Sequence, residues 1–378
     1  MRFTATLAPL AILLSPILAA PSTKLHTVEK YDGETTGRYI VTFKSGVNKY
    51  ALNLAGVTHT WDGTLNGFAG QFDEETVDSL RSNPDVETIT EDGVMHTFVT
   101  QANAPWGLSR LSSSTKLRNQ DTSALTFSYT YDASAGSGVD IYIVDTGVFT
   151  AHSQFGGRAS WGATFGGYAD ADGNGHGTHC AGTAAGSQFG VAKSANIIAV
   201  KVLSDAGSGA VSDIVSGLNF VTSQASFTGR PSIVSMSLGG SASTSLDNAV
   251  ASLTSAGIHV AVAAGNDNSN AGNTSPARAP SAVTVGASTI ADARASFSNF
   301  GSVVDVFAPG QNVISAWIGS TTATNNISGT SMATPHIAGL IAYLIGLQGN
   351  ISPAAMSSKV QSLSLKDVLT GIRSSFYL

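Results

Sequence analysis

A single cysteine, Cys180, in 378 residues rules out an internal disulfide, so core burial or bound ions must hold the fold. Charge is scarce. Only 12% of residues are charged, the formal net charge is −6, and there is no basic stripe. This excludes a nucleic-acid surface built from clustered Lys and Arg and a charge-rich disordered chain. Long apolar runs are missing too. IAGLIAYLIGL (337–347) falls short of the roughly 20 residues a membrane helix needs. Glutamate is absent from residues 99–378; all six glutamates, Glu29, Glu34, Glu74, Glu75, Glu87 and Glu91, come earlier.

That last absence divides the chain. Residues 21–98 carry 12 acids against 6 bases, and residues 99–378 carry 13 against 12. Two units with different fates are expected, meeting near residue 98. Residues 1–20 (MRFTATLAPLAILLSPILAA) have Arg2, an apolar run and a small-residue end, the pattern of a signal peptide. The mature protein is therefore expected to be soluble and secreted, with a lytic vacuole as the alternative. No nucleic-acid or membrane partner is expected.

The chain is 42% hydrophobic with 41 glycines, which suits a compact, turn-rich protein. In residues 21–98, alternating runs RYIVTFK (38–44), LNGFAGQFD (65–73) and VETITED (86–92) flank a short helical pattern, EETVDSLRSN (74–83). This reads as a small α+β unit. After residue 98, VDIYIVD (139–145), NIIAVKVL (196–203), SIVSMSL (232–238), IHVAVAA (258–264) and AVTVGA (282–287) suit strands buried on both faces of a parallel sheet. Helical stripes lie between them: Val211, Ile214, Val215 and Leu218, then Leu246, Ala249, Val250 and Leu253, with Gly257 as a stop. The expected fold is an α/β sandwich with a mainly parallel central sheet and ligands at the carboxyl ends of its strands.

Chemistry concentrates in a few segments. GHGTHCAG (175–182) holds two histidines and the cysteine. His176, His179 and Cys180 are a possible metal grip. Cys180 is a possible nucleophile with a histidine base. Alternatively, one histidine serves a nucleophile elsewhere. Asp145 ends an apolar strand before Thr146-Gly147, either as a turn former or as a site carboxylate. Ser331 enters an apolar helix after Gly329-Thr330, where a serine is usually a cap. The same position sets its Oγ beside the backbone N–H groups of a helix start. Asn266 ends AVAAGN (261–266), either as a turn residue or as an amide donor.

The order Asp145, His176, Ser331 is that of the subtilisin triad. With IVDTGV (143–148), DGNGHGTHCAG (172–182), SLGG (237–240), AAGN (263–266) and SGTSMATPHIAG (328–339), the chain resembles the subtilases. APWGL (104–108), the cysteine after HGTH and SFSNFGSVVDVFAPG (296–310) resemble the proteinase K branch. The first unit resembles the family's propeptide, an intramolecular chaperone and inhibitor, with SGVNKYALNLAG (45–56) short for its first helix.

The resemblance implies a subtilisin-like serine endopeptidase made as a self-processed precursor: signal 1–20, propeptide 21–98, peptidase 99–378. It implies His176 as base, Asp145 as its orienter, Ser331 as nucleophile and Asn266 in the oxyanion hole. No catalytic cofactor is implied. Extended peptide substrates would lie between Gly207-Ser208-Gly209 and Ser237-Leu238-Gly239-Gly240. A pocket walled by Ala263, Ala264, Gly265 and Gly239 would favour aromatic or aliphatic residues. A structural calcium would bind Asp305 and the carbonyls of Pro280 and Ala282. Cys180 would be a packed free thiol near the site. The protein is expected to be a monomer whose partners are protein and peptide substrates and its own propeptide. A binding protein with dead chemistry is the other class, distinguished by covalent labelling of Ser331.

Of the sequons at Asn273, Asn326 and Asn350, Asn273 is the expected glycan site, because Asn326 lies five residues before Ser331. The tail IRSSFYL is atypical of the family, which usually continues to a final strand.

Overall fold

The computed structural model describes residues 25–31, 35–95 and 97–372. The signal peptide expected at 1–20 and most of the C-terminal tail lie outside the described residues. Contacts divide the chain into two units between Val94 and Met95.

Among the described residues, the first unit is a five-stranded sheet with one α-helix. Its strands are β1 (Val28–Glu29), β2 (Thr35–Phe43), β3 (Val57–Trp61), β4 (Gly67–Gly70) and β5 (Val86–Gly93), with α1 (Glu74–Ser82) before β5. The order is β1-β5-β2-β4-β3. Asp73 caps α1 by accepting from the Thr76 N–H at 2.9 Å, and Val77 and Leu80 are buried, as their spacing predicts. Val41, Phe43, Phe68 and Ile89 join Leu80 in the core. The stretch expected to hold a short first helix keeps only a single 3₁₀ turn, Lys49–Leu52.

The second unit begins with β6 (Phe98–Ala104), α2 (Trp106–Leu111) and β7 (Phe127–Asp132). The expected mature start, Val99, lies inside β6 and pairs with Tyr131 of β7. Then come β8 (Asp140–Asp145), β9 (Ala159–Thr164), α3 (His176–Ala185), β10 (Asn196–Lys201), α4 (Val211–Thr228), β11 (Ser232–Met236), β12 (Gly240–Ser241), α5 (Thr244–Ser255) and β13 (His259–Ala263). The chain continues through β14 (Thr274–Ser275), β15 (Val283–Ser288), β16 (Val306–Pro309), β17 (Val313–Ala316), β18 (Thr324–Ile327), α6 (Thr330–Gln348) and α7 (Pro353–Leu363).

Seven strands form a sheet in the order β16-β15-β13-β11-β8-β10-β9, with every pairing parallel. Alternate residues of one strand feed two cores. Ile141 and Ile143 pack with the residues of α3 and α6. Tyr142 and Val144 pack with Ile214 and Leu218 of α4 and with Leu246 and Val250 of α5. Burial on both faces is why these strands read as unbroken apolar runs. The α4 stripe departs from expectation at its start, where Val211 is the first helical residue and is exposed.

The apolar run at 337–347 belongs to a longer helix than expected. α6 has 19 residues and is long and apolar enough to cross a membrane by length and composition. Most of it is buried in the core, including Ile337, Ile341 and Ile345.

Candidate active site

Asp145 is the last residue of β8 and fully buried. Its Oδ1 accepts from the Thr146 N–H at 2.7 Å and meets His176 Nδ1 at 2.8 Å. An ionised carboxylate only accepts, so Nδ1 carries the proton and Nε2 is left as a basic lone pair. His176 opens α3, and its side chain is one quarter exposed. Burial works against its charged form, but its interactions with the Asp145 carboxylate and with Cys180 together raise its pKa well above the usual value.

Asp172, which sequence reasoning did not single out, holds this arrangement. Its Oδ1 accepts from Thr146 Oγ1, Asn174 N and Gly175 N. Its Oδ2 accepts from Thr178 N and Oγ1. One buried carboxylate thus caps the start of α3 and ties it to the residue after Asp145. The approach is close: a Cβ on Gly177 would lie 2.0 Å from the Gly147 carbonyl.

The three candidate residues of GHGTHCAG (175–182) part company. His179 is fully buried, bonds the Val313 carbonyl through Nε2 at 3.0 Å, and packs edge-on against Trp317. Burial drives its pKa down to about 3, so it is a neutral core histidine. Cys180 lies beneath the site, with Sγ 4.0 Å from His176 Nδ1 and donating to the Ser331 carbonyl at 3.4 Å. Burial pushes its thiol pKa up, against the pull of His176. A protonated thiol is a poor nucleophile and a poor ligand.

Pro335 explains that sulfur contact. It sits inside α6 and has no N–H, so the Ser331 carbonyl, four residues back, loses its helical donor. Ser237 Oγ supplies one at 2.8 Å and Cys180 the other. Ser331 Oγ in turn donates to the Ser237 carbonyl at 3.2 Å. In this arrangement the hydroxyl faces Ser237, not His176.

Asn266 follows β13 and is exposed. Its Oδ1 accepts from Thr330 N at 2.8 Å and Thr330 Oγ1 at 3.0 Å. Fixing the oxygen settles the amide, and Nδ2 is left as the free donor. Thr330, also unflagged in the sequence, accepts from Gly265 N through the same hydroxyl.

Ser237, Leu238, Gly239, Ala263, Gly265, Asn266 and Ser331 line one cleft of about 520 Å³. Ala264 does not, being fully buried. Gly207, Ser208 and Gly209 form an exposed turn before α4 and are not part of that lining. Asp267 and Asn273 are also among the residues that line it. Asp267 pairs with no basic side chain among the described residues, so the wall carries a carboxylate that the segments AAG and SLGG do not suggest. Asn273 places the expected glycan acceptor on the cleft itself.

Asp305 is half-buried just before β16, where burial raises its pKa. Its oxygens accept from Thr284 N at 2.8 Å and the Gln361 amide at 3.1 Å. No basic side chain pairs with it among the described residues. A partly desolvated carboxylate without a cationic partner, near the start of β15, fits a calcium ligand. Pro280 is exposed and Ala282 buried in the turn before β15.

Comparison with known proteins agrees with this fold. Residues 136–370 match the Subtilase family and residues 38–98 match Peptidase inhibitor I9. The chain belongs to the subtilase family. It is similar to the subtilisin-like serine protease AsES of Sarocladium strictum, 46% identical over 99% of this chain and 96% of that one. It is also similar to the cuticle-degrading protease of Metarhizium anisopliae, 45% identical over 97% of each. Among solved structures, a cold adapted subtilisin-like serine proteinase is 44% identical with a TM-score of 0.66, covering 72% of this chain and 95% of that one. The protein is thus a subtilisin-like serine protease of the proteinase K type, preceded by an inhibitor I9 propeptide.

Proposed function

We propose that the protein is a secreted serine endopeptidase that acts through Asp145, His176 and Ser331 and processes its own precursor. The observation that carries this is the bond between His176 Nδ1 and Asp145 Oδ1, with Cys180 Sγ touching both His176 and the carbonyl of Ser331, which lines a cleft with an oriented Asn266 amide. Rotation about the Ser331 Cα–Cβ bond turns Oγ from the Ser237 carbonyl toward His176 Nε2. Nε2 takes the hydroxyl proton as Oγ attacks the substrate carbonyl carbon. The carbonyl oxygen becomes an oxyanion and accepts from Asn266 Nδ2 and the Ser331 N–H. His176 then protonates the leaving amine as the C–N bond breaks. Water repeats the sequence on the acyl-enzyme, and the acid and free Ser331 are released. Asp145 keeps the proton on Nδ1 and stabilises the imidazolium between steps.

The small walls Ala263, Gly265 and Gly239 favour aromatic or aliphatic residues before the scissile bond, and Asp267 extends acceptance to basic ones. Main-chain pairing along Ser237–Gly239 and the Gly207–Gly209 turn would hold an extended peptide. Calcium at Asp305 would stabilise the fold and take no part in the chemistry.

A serine-directed fluorophosphonate tests the nucleophile. It should label the wild type at Ser331 in one-to-one ratio and leave Ser331→Ala unlabelled. Labelling elsewhere, or a Ser331→Ala protein with full peptidase activity, refutes the assignment.

A further inference from the structure

The segment SFSNFG (296–301) belongs to none of the roles above, yet Asn299 is fully buried beside the oxyanion loop. Its side-chain hydrogen-bonding groups all turn toward that loop. Oδ1 accepts from Asp267 N at 3.0 Å, Ser269 N at 3.0 Å and Ser269 Oγ at 3.3 Å. Nδ2 donates to the Ala264 carbonyl at 2.9 Å. The Asn299 backbone N–H donates to the Gly265 carbonyl at 2.9 Å. These contacts bracket Asn266 on both sides without touching it.

We infer that Asn299 is a positioning residue for oxyanion stabilisation: it sets the backbone on either side of Asn266, and so where the Nδ2 donor points. This rests on the role proposed for Asn266.

The backbone itself demands such a support. Gly265 has φ +102°, a left-handed conformation that favours glycine, and a Cβ there would lie 2.4 Å from Asn299 Nδ2. The turn is therefore built against the amide. Other bonds between the two segments, Asn268 N to the Phe297 carbonyl and Phe300 N to the Ser269 carbonyl, lie further along. Within this pair of segments they leave residues 264–267 to Asn299, while Ala264 N donates to the Val285 carbonyl and Gly265 N to Thr330 Oγ1. On its other side Asn266 is held through Oδ1 by Thr330. The donor is thus fixed from two directions: by α6 through its own oxygen and by Asn299 through its neighbours' backbone. A donor that serves only the transition state must be placed before the oxyanion forms, because reorganisation at that moment adds to the barrier.

Asn299→Asp keeps the shape and the acceptor but turns an oxygen onto the Ala264 carbonyl. Asn299→Ser shortens the side chain and admits water. Both should lower kcat between about 10- and 100-fold with little change in KM. Asn266→Ala should lower kcat about 10²- to 10³-fold. In that background the Asn299 variants should cost less than about twofold more, since the group they position is gone. Melting curves and fluorophosphonate titration fix the fraction of folded, competent enzyme in each case. Additive losses in the double variants overturn the inference and leave Asn299 a purely structural residue. So does failure of both Asn299 variants to fold. If Asn266→Ala itself is fully active, the oxyanion role of Asn266 falls first, and this inference with it.

Discussion

Ser237 and Ser331 hold one another through two crossed bonds, each hydroxyl donating to the other's backbone carbonyl, at 2.8 and 3.2 Å. The pair exists because Pro335 leaves the Ser331 carbonyl without its helical N–H. Cys180 is the second donor to that carbonyl, which gives the buried thiol a structural role. Cys180→Ala should keep most of the activity and lose about 1–2 kcal/mol of stability, from the small void and the lost weak bond. A mercurial should inhibit the wild type, because the adduct must displace His176 or Ser331, and should spare Cys180→Ala. A folded but dead Cys180→Ala would contradict this role.

The acid limb of activity should lie above the ordinary histidine range. His176 works as a base only when neutral, and the Asp145 carboxylate raises its pKa. Activity is therefore lost as pH falls through that raised value. Asp145→Asn should move the limb down and lower kcat by about 10⁴-fold. A pH profile of kcat/KM for the two proteins checks both.

Processing of the precursor should depend on Ser331. Ser331→Ala should accumulate at full length in a protease-deficient host, while the wild type is cut near Val99. Mass and N-terminal sequence of the purified active form locate the cut. Clean maturation of Ser331→Ala would assign the cleavage to another protease.

Calcium should stabilise through Asp305. The carboxylate's raised pKa means its charge is costly in the fold without a cation. That cost is felt as pH rises above the unfolded pKa. Added calcium should raise the melting temperature, by the equivalent of roughly 2.7 kcal/mol at a hundredfold excess over Kd. EDTA should reverse this and erode activity slowly. Asp305→Asn should ignore calcium and melt no lower than the wild type does in EDTA. A wild-type melting curve indifferent to both reagents removes the site.

Glycan placement should differ from the sequence-based expectation. Asn273 lines the cleft with Ser331, and Ser275 of its sequon precedes Pro276. Ser352 of the Asn350 sequon likewise precedes Pro353. A following proline restricts the serine to extended conformations. Asn326, exposed on β18 and followed by Ser328-Gly329, is the better acceptor. Glycosidase treatment should shift the mass of the wild type and of Asn273→Gln, but not of Asn326→Gln.

Local order and chemistry were legible in the residues themselves. Two-faced apolar runs predict the buried strands, and the stops after them put Asp145 and Asn266 at carboxyl ends, because side-chain periodicity reports which faces are buried. Motif order suggested the triad by resemblance. Tertiary structure decided what spacing cannot encode. It separated His179 from His176, put Cys180 under a carbonyl freed by Pro335, moved Asn273 and Asp267 into the cleft, and set Asn299 behind a loop more than thirty residues earlier in the chain. Each of these is a hydrogen bond or a wall made by segments far apart in sequence. Such contacts form only when close packing fixes two backbones within about 3 Å of one another's polar groups, and no local pattern records that distance.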